Sequence, residues 1–347
     1  MPVHELAMGG RIFFILLMIS LVIVHLKRII PEERRKQMNR ATKIILAIVL
    51  VLVIGLIAAG NYFYSYAVVP AKKDFLASSS SNKSTELVTA ETWFNDKNNR
   101  TDWQLDSKDG LNLSAYYLPA EKESHKTVII AHGYMGQASD MPQYAKIYHD
   151  LGYNVLMPDA RGHGRSEGGY IGFGWDERKD YLQWIDRVIK NDPASEIVLH
   201  GVSMGGATVM MTSGEKLPEN VKAFIEDCGY SSVNGELSYQ LKEMFNLPAF
   251  PLIPVTSLVT KVRAGYFFGE ADAIKQLHKN TRPMLFIHGD KDDFVPYAML
   301  DEVYNATKGP KEKYVVQGAK HAEALSKDPA MYQKKVTDFL QKYVPNN

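Results

Sequence analysis

Beyond about Trp93, apolar runs of strand length alternate with longer stretches whose apolar positions recur at helical spacing. The runs at 111–118, 127–131, 154–157, 197–200, 223–225, 284–287 and 314–316 predict strands, several of them continuously apolar. Uninterrupted apolarity is what a strand needs when both faces of its sheet are covered. The stretches at 141–151, 176–190, 203–212, 297–307 and 329–343 predict helices. The alternation defines an α/β domain: a mainly parallel central sheet with helices on both faces.

A different pattern occupies the N-terminal part. Residues 44–60, IILAIVLVLVIGLIAAG, carry no charge and run into the aromatic segment Asn61-Tyr62-Phe63-Tyr64-Ser65-Tyr66. A helix from Ile44 to Tyr66 reaches about 34 Å, enough to cross a hydrocarbon layer of roughly 30 Å with some tilt. Its tyrosines then fall at a membrane interface. The segment reads as a transmembrane signal anchor, although Ala58-Ala59-Gly60 also suits the cleavage site of a signal peptide. Lys27, Arg28, Arg34, Arg35, Lys36, Arg40 and Lys43 precede the span, whereas only Lys72 and Lys73 follow it closely. This bias puts the C-terminal part on the extracytoplasmic side of the cell membrane. A shorter apolar stretch at 12–24 reads either as a marginal second span or as sequence upstream of a natural start at Met38. The expected organisation is therefore a basic cytoplasmic segment (1–43), an anchor (44–69), a linker (70–92) and the α/β domain (93–347). The serine-rich residues 77–85 have the composition of a flexible tether.

Composition narrows the possibilities. The 347 residues hold 40 Lys and Arg against 39 Asp and Glu, so nothing implies a basic face for nucleic acid. The one cysteine, Cys228, permits no internal disulfide and no cysteine-based zinc or redox motif. Neither a metal nor a cofactor is implied. The turn Arg161-Gly162-His163-Gly164-Arg165 lacks the endings of a phosphate-binding loop and reads as structural.

The chemistry is carried by Gly201-Val202-Ser203-Met204-Gly205, which ends an apolar run and leads into a helical stretch. This is the pattern of a nucleophile elbow, in which a serine sits on a strained strand-to-helix corner and flanking glycines avoid collision. A serine hydroxyl needs a neighbouring base, and the base needs an orienting acid. Downstream lie His288-Gly289-Asp290-Lys291-Asp292-Asp293-Phe294-Val295-Pro296 and then Gly318-Ala319-Lys320-His321-Ala322. Serine, acid, histidine is the order found in the α/β-hydrolase fold.

With His132-Gly133-Tyr134-Met135-Gly136 and the 159–166 segment also at predicted strand ends, the domain resembles the α/β-hydrolase superfamily from about Thr127 to Val344. The resemblance is to bacterial serine hydrolases related to lysophospholipases, esterases and prolyl-oligopeptidase-like peptidases. It implies Ser203 as nucleophile, His321 as general base and Asp292 as orienting carboxylate, with Asp290 and Asp293 flanking it. It implies an oxyanion hole from the backbone N–H groups of Tyr134 and Met204. His132, His163 and His288 are expected to brace loops around the site, and His200 to pack beneath the elbow. An insertion at about 229–280 reads as a lid whose apolar residues, among them Phe245, Phe250, Ile253 and Leu258, either pack on the domain or line an acyl pocket. The implied substrate is a small or lipid-like carboxylic ester reached from the membrane. A peptidase, or a non-catalytic surface protein on the same fold, are the alternatives; serine at the elbow disfavours haloalkane dehalogenase chemistry.

Overall fold

The structure is a computed structural model that describes residues 38–71 and 84–345. The apolar stretch at 12–24, Lys72, Lys73 and most of the expected tether lie outside the described residues. The chain divides into two compact units, one of residues 1–69 with 241–267 and one of residues 70–240 with 268–347.

The larger unit is built on an eight-stranded sheet: β1 (Thr101–Asp106), β2 (Asn112–Leu118), β3 (Lys126–Ala131), β4 (Asn154–Pro158), β5 (Glu196–Val202), β6 (Val221–Asp227), β7 (Met284–Gly289) and β8 (Lys311–Val316). Their order is β1-β2-β4-β3-β5-β6-β7-β8. The β1–β2 and β2–β4 pairs are antiparallel, and every other neighbouring pair is parallel. The helices, in chain order through both units, are α1 (Arg40–Ala67), α2 (Thr85–Asn95), α3 (Pro142–Asp150), α4 (Glu177–Asn191), α5 (Met204–Ser213), α6 (Val233–Phe245), α7 (Ala249–Ala264), α8 (Ala273–Leu277), α9 (Ala298–Ala306), α10 (Ala324–Lys327) and α11 (Pro329–Tyr343).

Both sheet faces are covered, which explains the unbroken apolar strands. Val128, Ile130, Val198, Ile225 and Ile287 join a core with Phe94 of α2, Tyr144 of α3 and Phe339 of α11. The alternate residues Ile129, Leu199, Phe224 and Phe286 are equally buried on the opposite face, where Phe286 meets Tyr304 of α9 with ring centroids 5.7 Å apart. The fold is that of an α/β hydrolase, and each parallel strand delivers its C-terminal loop to one edge, where such sheets hold ligands.

Three elements depart from expectation. β1 is an edge strand with an alternately half-buried and exposed pattern, so it lacks the apolar run that marks the interior strands. α2 begins at Thr85, inside the segment expected to be linker, because Ser84 caps it: the Leu87 N–H donates to Ser84 Oγ at 3.2 Å. It is docked through buried Ala90 and Phe94, the latter edge-on to Tyr116 at 5.2 Å. The expected lid at 229–280 is divided: residues 241–267 group with α1, while its flanks belong to the larger unit.

In the smaller unit, α1 is 28 residues long and is a candidate membrane span by length and composition. Asn39 caps it, accepting from the Thr42 N–H at 2.9 Å. α7 turns helical only after Phe250, so Pro251 takes the first helical position, where a missing N–H costs no bond, whereas Pro254 lies inside the helix and leaves one i→i−4 bond unmade.

If α2 is part of the folded domain, Phe94→Ala destabilises it by about 3–5 kcal/mol in urea unfolding, the usual cost of emptying a buried aromatic site. A loss below about 1 kcal/mol would show that α2 is peripheral.

Candidate active site

The site starts from the corner after β5. Ser203 takes φ 57° and ψ −119°, a strained conformation for a residue with a side chain. The corner closes so tightly that a methyl group on Gly201 would lie 2.0 Å from the Gly205 carbonyl oxygen. One on Gly205 would lie 2.0 Å from that of Ala131. No side chain larger than hydrogen fits either position. The Ser203 N–H donates to the Asp227 carbonyl at 2.8 Å, tying the corner to the end of β6.

Ser203 Oγ lies 2.8 Å from His321 Nε2, and His321 Nδ1 lies 2.8 Å from Asp292 Oδ2. A carboxylate only accepts, so the imidazole carries its proton on Nδ1 and leaves Nε2 to accept from the serine hydroxyl. Asp292 is the acid that the structure brings to His321. Its neighbour Asp290 is engaged elsewhere, its Oδ1 accepting from the Gly318 N–H at 2.6 Å.

Asp292 is held by four donors. The Phe294 and Val295 N–H groups each donate to Oδ1 at 2.9 Å, while His321 and His288 reach Oδ2, the latter at 3.2 Å. Burial alone would raise this carboxyl, but the hydrogen bonds and charges of His288 and His321 outweigh it and hold it at about 2. His288 Nε2 also reaches the Val295 carbonyl at 3.1 Å. Burial pushes His288 down, and the bond to Asp292 more than reverses that.

The Gly133–Tyr134 turn runs against the serine: a methyl on Gly133 would sit 3.4 Å from Ser203 Cβ and 3.9 Å from Oγ. Met204 opens α5 directly after the serine, so its N–H belongs to the electropositive end of that helix. Two buried histidines brace this turn. His132 Nε2 accepts from the Ala160 N–H at 2.9 Å, and His163 Nε2 accepts from the Met135 N–H at 3.2 Å. Each then donates through Nδ1 to a carbonyl, of Gly133 and Arg161 respectively. Burial favours these neutral forms, lowering His132 and bringing His163 down to about 4.

His200 lies beneath the elbow in a chain of hydrogen bonds. It is 2.8 Å from the Tyr148 hydroxyl and 3.1 Å from that of Tyr332, which donates to Asp227 Oδ2 at 2.9 Å. The cations of the 161–165 turn are committed to carboxylates rather than free for phosphate. Arg161 pairs with Asp180 at 2.6 Å and Asp109 at 2.8 Å, and Arg165 with Asp159 at 2.9 Å.

Sequence reasoning missed several side chains of the site. The Phe294 ring lies 4.8 Å from that of His321, and Phe173 stacks on Tyr134 at 5.5 Å, its carbonyl held by the Tyr230 hydroxyl. Nothing in the local sequence distinguishes these rings from core residues. Cys228, Asp292 and His321 also place potential metal-binding atoms within 4.8 Å of one another. Both His321 nitrogens are already used, and burial keeps the Cys228 thiol protonated, so this set fits a proton relay better than a metal.

The chain belongs to the α/β-hydrolase superfamily. Residues 122–244 match the Hydrolase_4 family, described as serine aminopeptidase S33. A Bacillus subtilis (strain 168) protein, YqkD, described as uncharacterized, is 31% identical over 243 residues, covering 70% of this chain and 79% of its own length. YfhR of Escherichia coli (strain K12), also described as uncharacterized, is 24% identical over 68% of this chain and 79% of its own length. Among solved structures, the Pyrococcus furiosus esterase Pf2001 aligns with TM-score 0.61 and 20% identity over 80% of this chain and 98% of its own, a likeness of fold.

A buried carboxyl beside the site gives a pH test. Burial raises Glu226 to about 8, against the opposing charge of His288 and the Gly229 N–H that donates to Oε2. The folded state therefore holds this proton more tightly than the unfolded chain, whose glutamate titrates near about 4.3. The resulting stabilisation is complete below the unfolded value and is lost as pH rises through about 8. Glu226→Gln removes the titration, so between about pH 5 and 8 the melting temperature of the wild type falls relative to the variant. Parallel profiles would show that Glu226 does not titrate in this window.

Proposed function

We propose that this chain is a membrane-anchored serine hydrolase that cleaves carboxylic esters or related acyl compounds through an acyl-enzyme. The observation carrying this reading is the unbroken relay from Ser203 Oγ through His321 to Asp292, each step at 2.8 Å. His321 is partly exposed while Asp292 is buried, as required of a base that meets substrate and an acid that does not.

In the first half-reaction Ser203 Oγ bonds to the acyl carbon as its proton passes to His321 Nε2, and Asp292 stabilises the imidazolium. The Tyr134 and Met204 N–H groups receive the oxyanion. Collapse expels the alcohol, which takes the proton from His321. Water then repeats the sequence: His321 removes its proton, the hydroxyl bonds to the acyl carbon, and Ser203 leaves reprotonated with release of the acid.

The anchor is α1, with the catalytic unit extracytoplasmic because the basic flank precedes the span. A peptidase reading is favoured by the description of the matched family as a serine aminopeptidase. The aromatic residues beside His321 and Tyr134 support the ester reading instead.

Ser203→Ala lowers kcat on a short-chain acyl ester by about 10⁴–10⁶ with little change in melting temperature. In a matched panel, acyl esters are turned over faster than aminoacyl amides with a free amino terminus. Retained activity in the variant would remove Ser203 from the mechanism, and preference for the amides would favour the peptidase.

A further inference from the structure

The insertion that leaves the catalytic unit after Gln240 and returns at Phe268 groups with α1 rather than with the sheet. From Leu247 to Thr260 it carries no charged residue. An ordinary water-facing helix turns its polar side outward. α7 does the reverse. Leu258 and Val262, exposed at 49% and 57%, lie on the same i, i+4 row as exposed Pro254, and Phe250, just before the first helical turn, is exposed at 78%. The buried side holds Thr256, Ser257, Thr260 and Ala264 beside Ile253 and Val259.

The contact of α7 with α1 has the character of helix packing in lipid, where small residues allow close approach and polar groups are satisfied locally. A methyl on Gly60 would lie 2.7 Å from Val255 Cγ1. Thr256 and Thr260 donate their hydroxyls to carbonyls one turn back, those of Leu252 and Thr256, at 2.8 and 2.9 Å. Arg263 donates to Asn61 Oδ1 at 2.6 Å and lies over the Tyr64 ring. Gly60, Asn61 and Tyr64 are the buried residues of α1, and all lie toward its C-terminal end, at or within the aromatic segment that begins at Asn61. That end of the candidate span is the level of the headgroup and acyl-chain boundary. Exposed apolar residues of α1, including Ile48, Val51 and Leu52, lie on the same unit.

We propose that α7 is a second membrane-contacting element, an interfacial helix whose Phe250, Leu258 and Val262 enter the lipid beside the anchor. The partner is a phospholipid surface. Lipid is favoured over a second protein chain because the exposed row belongs to the same unit as the apolar candidate span and offers no charge for a protein partner to match. The insertion is then no water-facing flap, and a lipid-like acyl substrate already resides in the phase that part of the enzyme occupies. This proposal rests on the reading of α1 as an anchor.

The test uses the full chain in phospholipid vesicles. Cys228 is buried, so single cysteines introduced elsewhere can be labelled with an environment-sensitive fluorophore. Leu258→Cys and Val262→Cys probe α7, Val51→Cys probes α1, and Lys242→Cys serves as a polar exposed site. Each variant is first checked for an unchanged melting temperature. The proposal expects lipids with brominated acyl chains to quench labels at 51, 258 and 262 while the label at 242 is quenched only by aqueous iodide. Quenching by lipid at 51 but by iodide at 258 and 262 would overturn the proposal and leave the anchor standing. Loss of lipid quenching at 51 as well would remove the anchor itself. Protection of 258 from both quenchers would also overturn the proposal, and either energy transfer between copies or re-exposure on starting the chain at Met38 would identify the protein segment covering it.

Discussion

A serine hydroxyl can pass its proton to an imidazole only within hydrogen-bond reach, and that requirement sets much of the architecture around Ser203. The 2.8 Å bond to His321 joins residues 118 positions apart in the chain. It exists because parallel strands return both loops to one edge of the sheet. The corner itself survives because the flanking glycines leave room for backbone where any side chain would collide, and because Asp227 at the end of β6 receives the Ser203 N–H. The strain at Ser203 is thus supported by three strands rather than by the turn alone.

Behind the relay, charge is distributed unevenly. Asp292 is saturated with donors and stays ionised, whereas burial raises nearby Glu226 and Glu236 to about 8 and Asp227 to about 6. Keeping Glu226 and Glu236 neutral spares the buried site the desolvation cost of further anions, while Asp227, raised only to about 6, accepts from the Tyr332 hydroxyl. The neutral histidines His132, His163 and His200 act differently, as fixed donor and acceptor pairs that brace loops without adding charge. Five of the chain's histidines therefore surround the serine, and one touches it.

The sheet was legible in the sequence because strands buried on two faces leave an unbroken apolar record. Where burial is partial the record fades, as for β1, whose exposed edge reads as ordinary polar sequence. α2 was hidden for a related reason: it docks through few apolar residues, and its cap, Ser84, looks like one more serine of a linker. The elbow and the order of its partners could be read directly, since glycine at two fixed offsets has a steric cause. The choice of Asp292 among three close aspartates came from a family pattern and has its physical basis in the donors of Phe294 and Val295, which only coordinates display. The aromatic neighbours Phe173 and Phe294 gave no signal, because their role depends on which loops meet. In α7 the outward apolar row became visible only once its inward side was known.

Covalent capture reads out whether His321 and Asp292 make Ser203 nucleophilic. The folded protein is treated with a fluorophosphonate, and the adduct is located by mass analysis of its peptides. One adduct is expected, on Ser203, absent from Ser203→Ala and formed far more slowly in a folded Asp292→Asn variant. An unmodified Ser203 in the folded wild type, or an adduct on another residue, would contradict that activation.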